Sequence, residues 1–297
     1  MQPSSPTGDL DPFFTFDYTP LEGLEHLADG QRLTTYWDVE AGHRGPAPVP
    51  AWLVQDSGAV DTELGVLKTG KEADVFLLER ATTTTTTTEV ETSALDTTDV
   101  ACLLAAKRYR DTDHRTFHRS AVYAEGRGVR RSRDQRALAR GSRYGRQVAA
   151  VRWAEAEWQA MRRAWEHGIP VPYPVSLAGT ELLMEFVGEP TGLAAPRLAQ
   201  AQADGPLLGH LWEQVRTVVL QLAEHGWAHG DLSAYNLLVH HETVTVIDLP
   251  QVVDVVTNPQ GPSLLHRDCS NVAAWFAGRG MDADGEALFA EALALAL

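Results

Sequence analysis

His229-Gly230-Asp231-Leu232-Ser233-Ala234-Tyr235-Asn236, followed ten residues later by Val246-Ile247-Asp248, is the stretch that decides how this chain is read. Before it, Leu208 to His225 carries Leu211, Val215, Val218, Val219 and Leu222 at helical spacing, and Gly226 is placed to stop that helix. After it come two short strand-like runs, Leu237–Val239 and Val244–Ile247. The framed loop holds Asp231 five residues before Asn236, and Asp248 stands twelve residues after Asn236 at a strand end. A carboxylate, an amide and a second carboxylate are the oxygen donors that a proton acceptor and a hard divalent cation require. His229 reads as a residue that shapes the loop.

Working upstream, two further segments fit the same chemistry. Val100 to Tyr109 is an apolar strand that ends in Ala-Ala-Lys-Arg-Tyr, so Lys107 lies where a lysine is costly unless paired. A helical pattern from about Val148 to His167, with Trp153, Glu157 and Met161 at i, i+4 and i+8, offers Glu155 or Glu157 as the partner, with Glu155 the expected one. Gly168 ends that helix, and Pro170 and Pro172 prevent its extension. Earlier still, Glu63–Leu67 and Ala73–Leu78 read as strands joined by Lys68-Thr-Gly-Lys-Glu72. Gly70 permits a tight turn there, and exposed amides with Lys71 can meet phosphate oxygens. Taken singly, the turn is an ordinary hairpin and Lys107 a surface lysine. In this order, and ahead of Asp231, Asn236 and Asp248, they supply the parts of a phosphoryl-transfer site: phosphate cradle, cation ligands and base.

The composition suits a water-soluble globular protein. The 297 residues are 44% hydrophobic and 22% charged, with no apolar run of membrane-spanning length. Two cysteines, Cys102 and Cys269, form neither a disulfide framework nor a metal-ligand spacing. Met1 to Leu10 lacks the basic start and apolar stretch of a secretory signal, so a cytoplasmic location is expected. The net charge of −15 conceals a basic block: Lys107 to Arg163 holds 16 Lys or Arg against 6 Asp or Glu. That block suggests an anionic partner at 108–163, whether nucleotide phosphates, RNA or an acidic protein surface, or else a solvated mobile loop.

The expected organisation is a tail and linker over 1–55, with one short helix at 21–28. An N-terminal lobe over 56–187 contains a threonine-rich insertion (81–99) and an arginine-rich flexible loop (110–147). A C-terminal lobe occupies 188–297. Three strands, a helix, a strand, a helix and two short strands is the order of a two-lobed α+β architecture, a small antiparallel β lobe with a mostly helical one.

Four ordered motifs carry a resemblance to the RIO-type atypical serine/threonine protein kinases over about residues 60 to 280. Thr-Gly-Lys-Glu-Ala-Asp-Val-Phe (69–76) resembles that family's phosphate loop and Leu-Met-Glu-Phe-Val-Gly (183–188) its hinge. His-Gly-Asp-Leu-Ser-Ala-Tyr-Asn (229–236) resembles its catalytic loop. Ile-Asp-Leu-Pro-Gln (247–251), with Arg267-Asp268 beyond, resembles its metal loop and downstream helix start. The resemblance implies a trimmed bilobal kinase fold using ATP and Mg2+, with Mn2+ able to take the same ligands. Some family members act mainly as ATPases through an aspartyl-phosphate on the metal-loop aspartate, here Asp248. Carried over by position, Thr69, Gly70, Lys71 and Glu72 meet the phosphates, and Lys107 pairs with phosphate beside Glu155. Met184, Glu185 and Phe186 line the adenine pocket, Asp231 is the base, and Asn236 and Asp248 hold metal. Only 49 residues follow Asp248 and none read Ala-Pro-Glu, so there is little room for an activation segment.

Two other classes remain open on sequence. A small-molecule kinase of the aminoglycoside-phosphotransferase kind shares the His-Gly-Asp loop, though the 69–76 motif and short C-terminus count against it. A nucleotide-gated RNA- or protein-binding module would use the arginine-rich block, where aromatic residues suited to base stacking are few.

Overall fold

The computed structural model describes residues 27–82, 100–110 and 143–297. The insertion of threonines and most of the arginine-rich stretch lie outside these residues, as does nearly all of the helix expected at 21–28.

Six antiparallel strands form the N-terminal lobe. They are β1 (Gln31–Leu33), β2 (Val60–Thr69), β3 (Ala73–Ala81), β4 (Ala101–Tyr109), β5 (Pro174–Ala178) and β6 (Glu181–Glu185), in the spatial order β1-β2-β3-β4-β6-β5. The register places Thr69 opposite Asp74, so residues 70–72 make the tight turn between β2 and β3. The Gly70 amide donates to the Ala73 carbonyl at 3.0 Å, and a Cβ on Gly70 would meet that oxygen at 2.8 Å. Only glycine fits so close an approach.

Alternation along β4 divides the lobe into two faces. Cys102, Leu104 and Ala106 join Leu78, Tyr173, Val175 and Leu183 in one buried cluster, while Ala105 and Tyr109 belong to the main core. Lys107 therefore shares its face with Tyr109. The outer cluster is completed by Tyr36, Leu53, Val54 and Ala59. This corrects the expectation of a tail and linker up to residue 55. Arg32 lies opposite Asp61 in the β1–β2 ladder, Tyr173 Oη donates to the Pro46 carbonyl at 2.9 Å, and Trp158 Nε1 donates to that of Gly42 at 3.0 Å. Proline and glycine there signal irregular backbone, while the interspersed Tyr36, Leu53 and Val54 provide the surface that covers the sheet.

Helix α1 (Arg143–Glu166) lies against the inner face and buries Ala150, Ala154, Trp158 and Met161. It starts somewhat earlier than the periodicity indicates. Gly168, at φ +72°, ends it, and the Ile169 amide reaches back to the Ala164 carbonyl. After β6 the chain enters the C-terminal lobe through Phe186–Gly188. Helix α2 (Gly205–Glu224) buries Leu208, Leu211, Trp212, Val215, Val218, Val219 and Leu222, the face its spacing predicts. Two-residue strand β7 (Trp227–Ala228) pairs with β10 (Val253–Asp254), and β8 (Leu237–His240) forms a hairpin with β9 (Thr243–Val246). Helices α3 (Gly261–Ala277) and α4 (Gly285–Ala296) complete the lobe. Arg267 and Asp268 lie inside α3, not at its start as expected. Among the described residues, no helix is long and apolar enough to cross a membrane.

Candidate active site

Between the lobes lies a cleft of about 550 Å³. Its apolar walls come from Val75 on β3, Ala105 on β4, Met184 on β6, and Leu238 and Ile247 beside the β8–β9 hairpin. Phe186 and Glu185 line it too, with the Glu185 carboxylate turned to accept the Tyr173 amide at 3.0 Å. Burial raises the Glu185 pKa.

At the inner end Lys107 reaches two carboxylates. Its Nζ donates to Glu157 Oε1 at 2.7 Å and to Asp248 Oδ1 at 2.8 Å. The second oxygen of Glu157 accepts from the Tyr109 hydroxyl. Glu157 is only 1% exposed, and two side chains of β4 satisfy its two oxygens. Burial alone would depress the Lys107 pKa, but Asp248 and Glu157 together hold it well above its usual value. The Lys107 charge in turn draws the Asp248 pKa down to about 2, against the effect of burial. Burial, then the charge of Glu157, pushes up the Tyr109 phenol.

Glu155, the expected partner of Lys107, is elsewhere. It accepts from Gln159 at 2.9 Å and pairs with His43 at 3.0 Å. Two residues along a helix rotate about 200° around its axis, so only one of the two glutamates can face β4. Because Ala150, Ala154 and Trp158 fix the inward stripe, that residue is Glu157.

Asp248 leaves β9 with a left-handed backbone, φ +68°, a conformation that costs a non-glycine residue energy and is held by its surroundings. Its side chain remains 40% exposed to the cleft. On the other side, Asp231 lines the cleft and Asn236 stands behind it, donating Nδ2 to the Asp231 carbonyl at 2.8 Å. That donation leaves the amide oxygen of Asn236 as its acceptor. A carboxylate and an amide oxygen form a hard donor set that fits Mg2+. His229 accepts the Asp231 amide on Nδ1 at 3.3 Å and bonds the Ile247 carbonyl through Nε2 at 3.2 Å. It ties the loop of Asp231 to the strand end of Asp248, the shaping role its position suggests.

Of the turn residues, Gly70, Lys71 and Glu72 line the cleft; Thr69 is not among its lining residues and lies opposite Asp74 at the strand end. Burial, then Asp248, raises the Glu72 pKa, while burial, then Arg197, lowers that of Lys68.

Lys68 and Arg197 line the cleft without having been singled out in the sequence. Asp268, marked in the sequence only as part of a helix start, has the more consequential role. This buried α3 carboxylate accepts the Gly230 amide at 2.7 Å and the Leu232 amide at 2.8 Å, gripping the backbone on both sides of Asp231. Arg267 adds a bond to the Gly230 carbonyl, and Asn271 one to that of Leu232 at 3.2 Å. Burial pushes the Asp268 pKa up, against the pull of the two amides.

Comparison with known proteins places these features in a family. The RIO domain family model matches residues 101–288. The RIO-type serine/threonine-protein kinase Rio1 of Haloferax volcanii is 36% identical over 237 residues, 80% of this chain and 70% of that protein. The human serine/threonine-protein kinase RIO3 is 30% identical over 227 residues, which cover 76% of this chain but only 40% of the human protein. Among solved structures, the ADP/Mg2+-phosphoaspartate complex of the Chaetomium thermophilum Rio2 kinase matches with a TM-score of 0.52 at 20% identity, over 78% of this chain and 62% of that one. That likeness confirms the trimmed bilobal kinase fold.

Proposed function

Because the chain belongs to the RIO kinase family, we propose that it transfers the γ-phosphoryl group of ATP to a serine or threonine hydroxyl of a protein, with Mg2+ bound. The observation that carries this reading is the placement of Lys107 between Glu157 and Asp248, in a cleft that Asp231 also lines.

The apolar walls take the adenine, and Met184 and Phe186 sit beside it on the hinge. Lys107, fixed by Glu157, holds phosphate oxygens, while Lys71 and the amides of the 70–72 turn cover them. Asp231 accepts the proton of the attacking hydroxyl as its oxygen bonds to the γ-phosphorus and the bond to the β-phosphate oxygen breaks, releasing ADP. Asn236 and Asp248 would hold Mg2+, which neutralises phosphate charge when bound. Asp268 is a positioning residue for the Asp231 loop. ATP supplies the phosphoryl group, so the cytoplasm is the compartment that suits the activity.

A second reading has its own support. Asp248 keeps a cleft-exposed carboxylate, and the Rio2 structure of Chaetomium thermophilum is a phosphoaspartate complex. The Asp248 carboxylate would then be the acceptor, and hydrolysis would return it, giving net ATPase turnover. The fate of γ-labelled ATP with the purified protein and Mg2+ separates the routes. Acid-stable label on serine or threonine supports the kinase, and hydroxylamine-labile label lost in Asp248→Asn supports the aspartyl-phosphate. Full turnover by both Asp231→Asn and Asp248→Asn would overturn the site.

A further inference from the structure

On the C-terminal side of the hinge, away from Lys107, a second group of side chains converges. Glu189 follows the hinge, His240 ends β8, and His241 begins the two-residue turn to β9. Glu189 Oε1 lies 3.3 Å from His240 Nε2 and 3.8 Å from His241 Nε2, and all three ligand atoms fall within 4.8 Å of one another. Adjacent residues of a strand point to opposite faces, so neighbouring histidines do not ordinarily share a ligand. Here His241 takes a left-handed φ of +46°, followed by Glu242 at +63°. A two-residue turn of this hand favours Asn-Gly. The turn places the two imidazoles side by side, with ring centroids 4.0 Å apart.

Both segments that present these groups are anchored. Gln214 of α2 donates to the Glu242 carbonyl at 2.7 Å and accepts the Val244 amide at 2.9 Å, clamping the hairpin turn from both sides. The Glu189 amide donates to the Leu193 carbonyl at 2.8 Å, and its own carbonyl accepts from Gly192 at 2.9 Å. The segments that carry the donors are thus held through their backbone by bonds that do not involve the three ligand side chains.

We propose that Glu189, His240 and His241 form a site for a Zn2+-class transition-metal cation, with water as the fourth ligand. Ligand atoms about 2.0–2.1 Å from a tetrahedral ion are about 3.4 Å apart. The two glutamate–histidine separations bracket that spacing, and the 74%-exposed His241 side chain has freedom to close any remaining gap. Two imidazoles and one carboxylate select Zn2+ and its neighbours over Mg2+, which takes an oxygen shell. A bound ion would clip the hinge exit to the β8–β9 hairpin, which supplies Leu238 to the cleft wall. It is separate from the cation held by Asn236 and Asp248.

The test is direct metal binding by the full chain, freed of any histidine tag, with Zn2+ titrated against a chromogenic chelator in excess Mg2+. One Zn2+ per chain is expected. His241→Asn, which keeps the left-handed turn, and Glu189→Gln should each weaken binding by at least about tenfold, as even the loss of an outer-shell partner can. Zn2+ should raise the melting temperature of the parent chain and leave that of His241→Asn unchanged. Failure of the parent to bind Zn2+, or equal affinity in His241→Asn, overturns the site. Neither readout depends on turnover, so the result stands apart from the kinase reading.

Discussion

Lys107 Nζ on β4 lies 2.8 Å from Asp248 Oδ1 on the loop after β9, so a single ammonium group joins the two lobes across the nucleotide cleft. Its other partner, Glu157, belongs to the N-terminal lobe, and Lys107 therefore serves both as an interior counter-ion and as a contact between lobes.

This relationship sets a pH dependence. The Asp248 pKa of about 2 is below the usual aspartate value of about 3.9, so the unfolded chain binds the proton first. The ionised carboxylate contributes stability above about pH 4, and that contribution is lost as the pH falls towards 2. Urea midpoints should fall less steeply across this interval in Asp248→Asn than in the parent. Solvent at the exposed carboxylate keeps the difference below the full one-proton slope.

The two helix glutamates should separate cleanly. Glu157→Ala leaves Lys107 and Tyr109 short of a buried partner and should cost about 3 kcal/mol. Glu155→Ala breaks only a partly exposed pair with His43 and should stay within about 0.5 kcal/mol. Denaturation of the two variants checks the assignment; a larger loss for Glu155→Ala would reverse it.

Asp231 is exposed and lines the cleft. Asp231→Asn should therefore reduce kcat by about 10²–10⁴-fold with stability and ATP affinity nearly unchanged. Single-turnover kinetics beside equilibrium nucleotide binding would distinguish this from a loss of binding.

Asp268 acts through the loop it grips. Asp268→Ala orphans two buried amides and should destabilise the protein by at least about 2 kcal/mol. Asp268→Asn keeps an acceptor oxygen and should recover part of both stability and kcat. If neither variant moves kcat while both lose stability, the residue supports the fold alone.

Much of the site could be read from sequence because it lies on short ordered motifs. Asp231, Asn236 and Asp248 have fixed spacings on a loop and a strand end, and the apolar stripe of α2 marks the helix before them. What escaped depended on contacts between distant segments. The choice between Glu155 and Glu157 turns on which side of α1 faces β4, and Ala150, Ala154 and Trp158 fix that stripe less visibly than leucines would. Asp268 left a trace that could have been used: it stands between Leu264 and Val272 at i+4 and i+8, a carboxylate on a helix face otherwise meant for the core. Lys68 and Arg197 gave no comparable signal, since one stands near the end of β2 and the other in a connecting segment, and each becomes part of the cleft only when the lobes meet. The cover on the outer sheet face was hidden by its proline-rich composition, which describes backbone shape and says nothing of Tyr36 or Leu53.

That cover decides where the folding unit begins. The family match starts at residue 101, within the sheet, yet Leu78, Leu104, Tyr173 and Leu183 are kept from water by a stretch ending near Ala59. A chain cut back to residue 60 would keep every proposed phosphate, base and metal residue and still be the wrong piece to purify. Its sheet would present a greasy flank to its neighbours, and self-association would mask whatever chemistry the cleft retained.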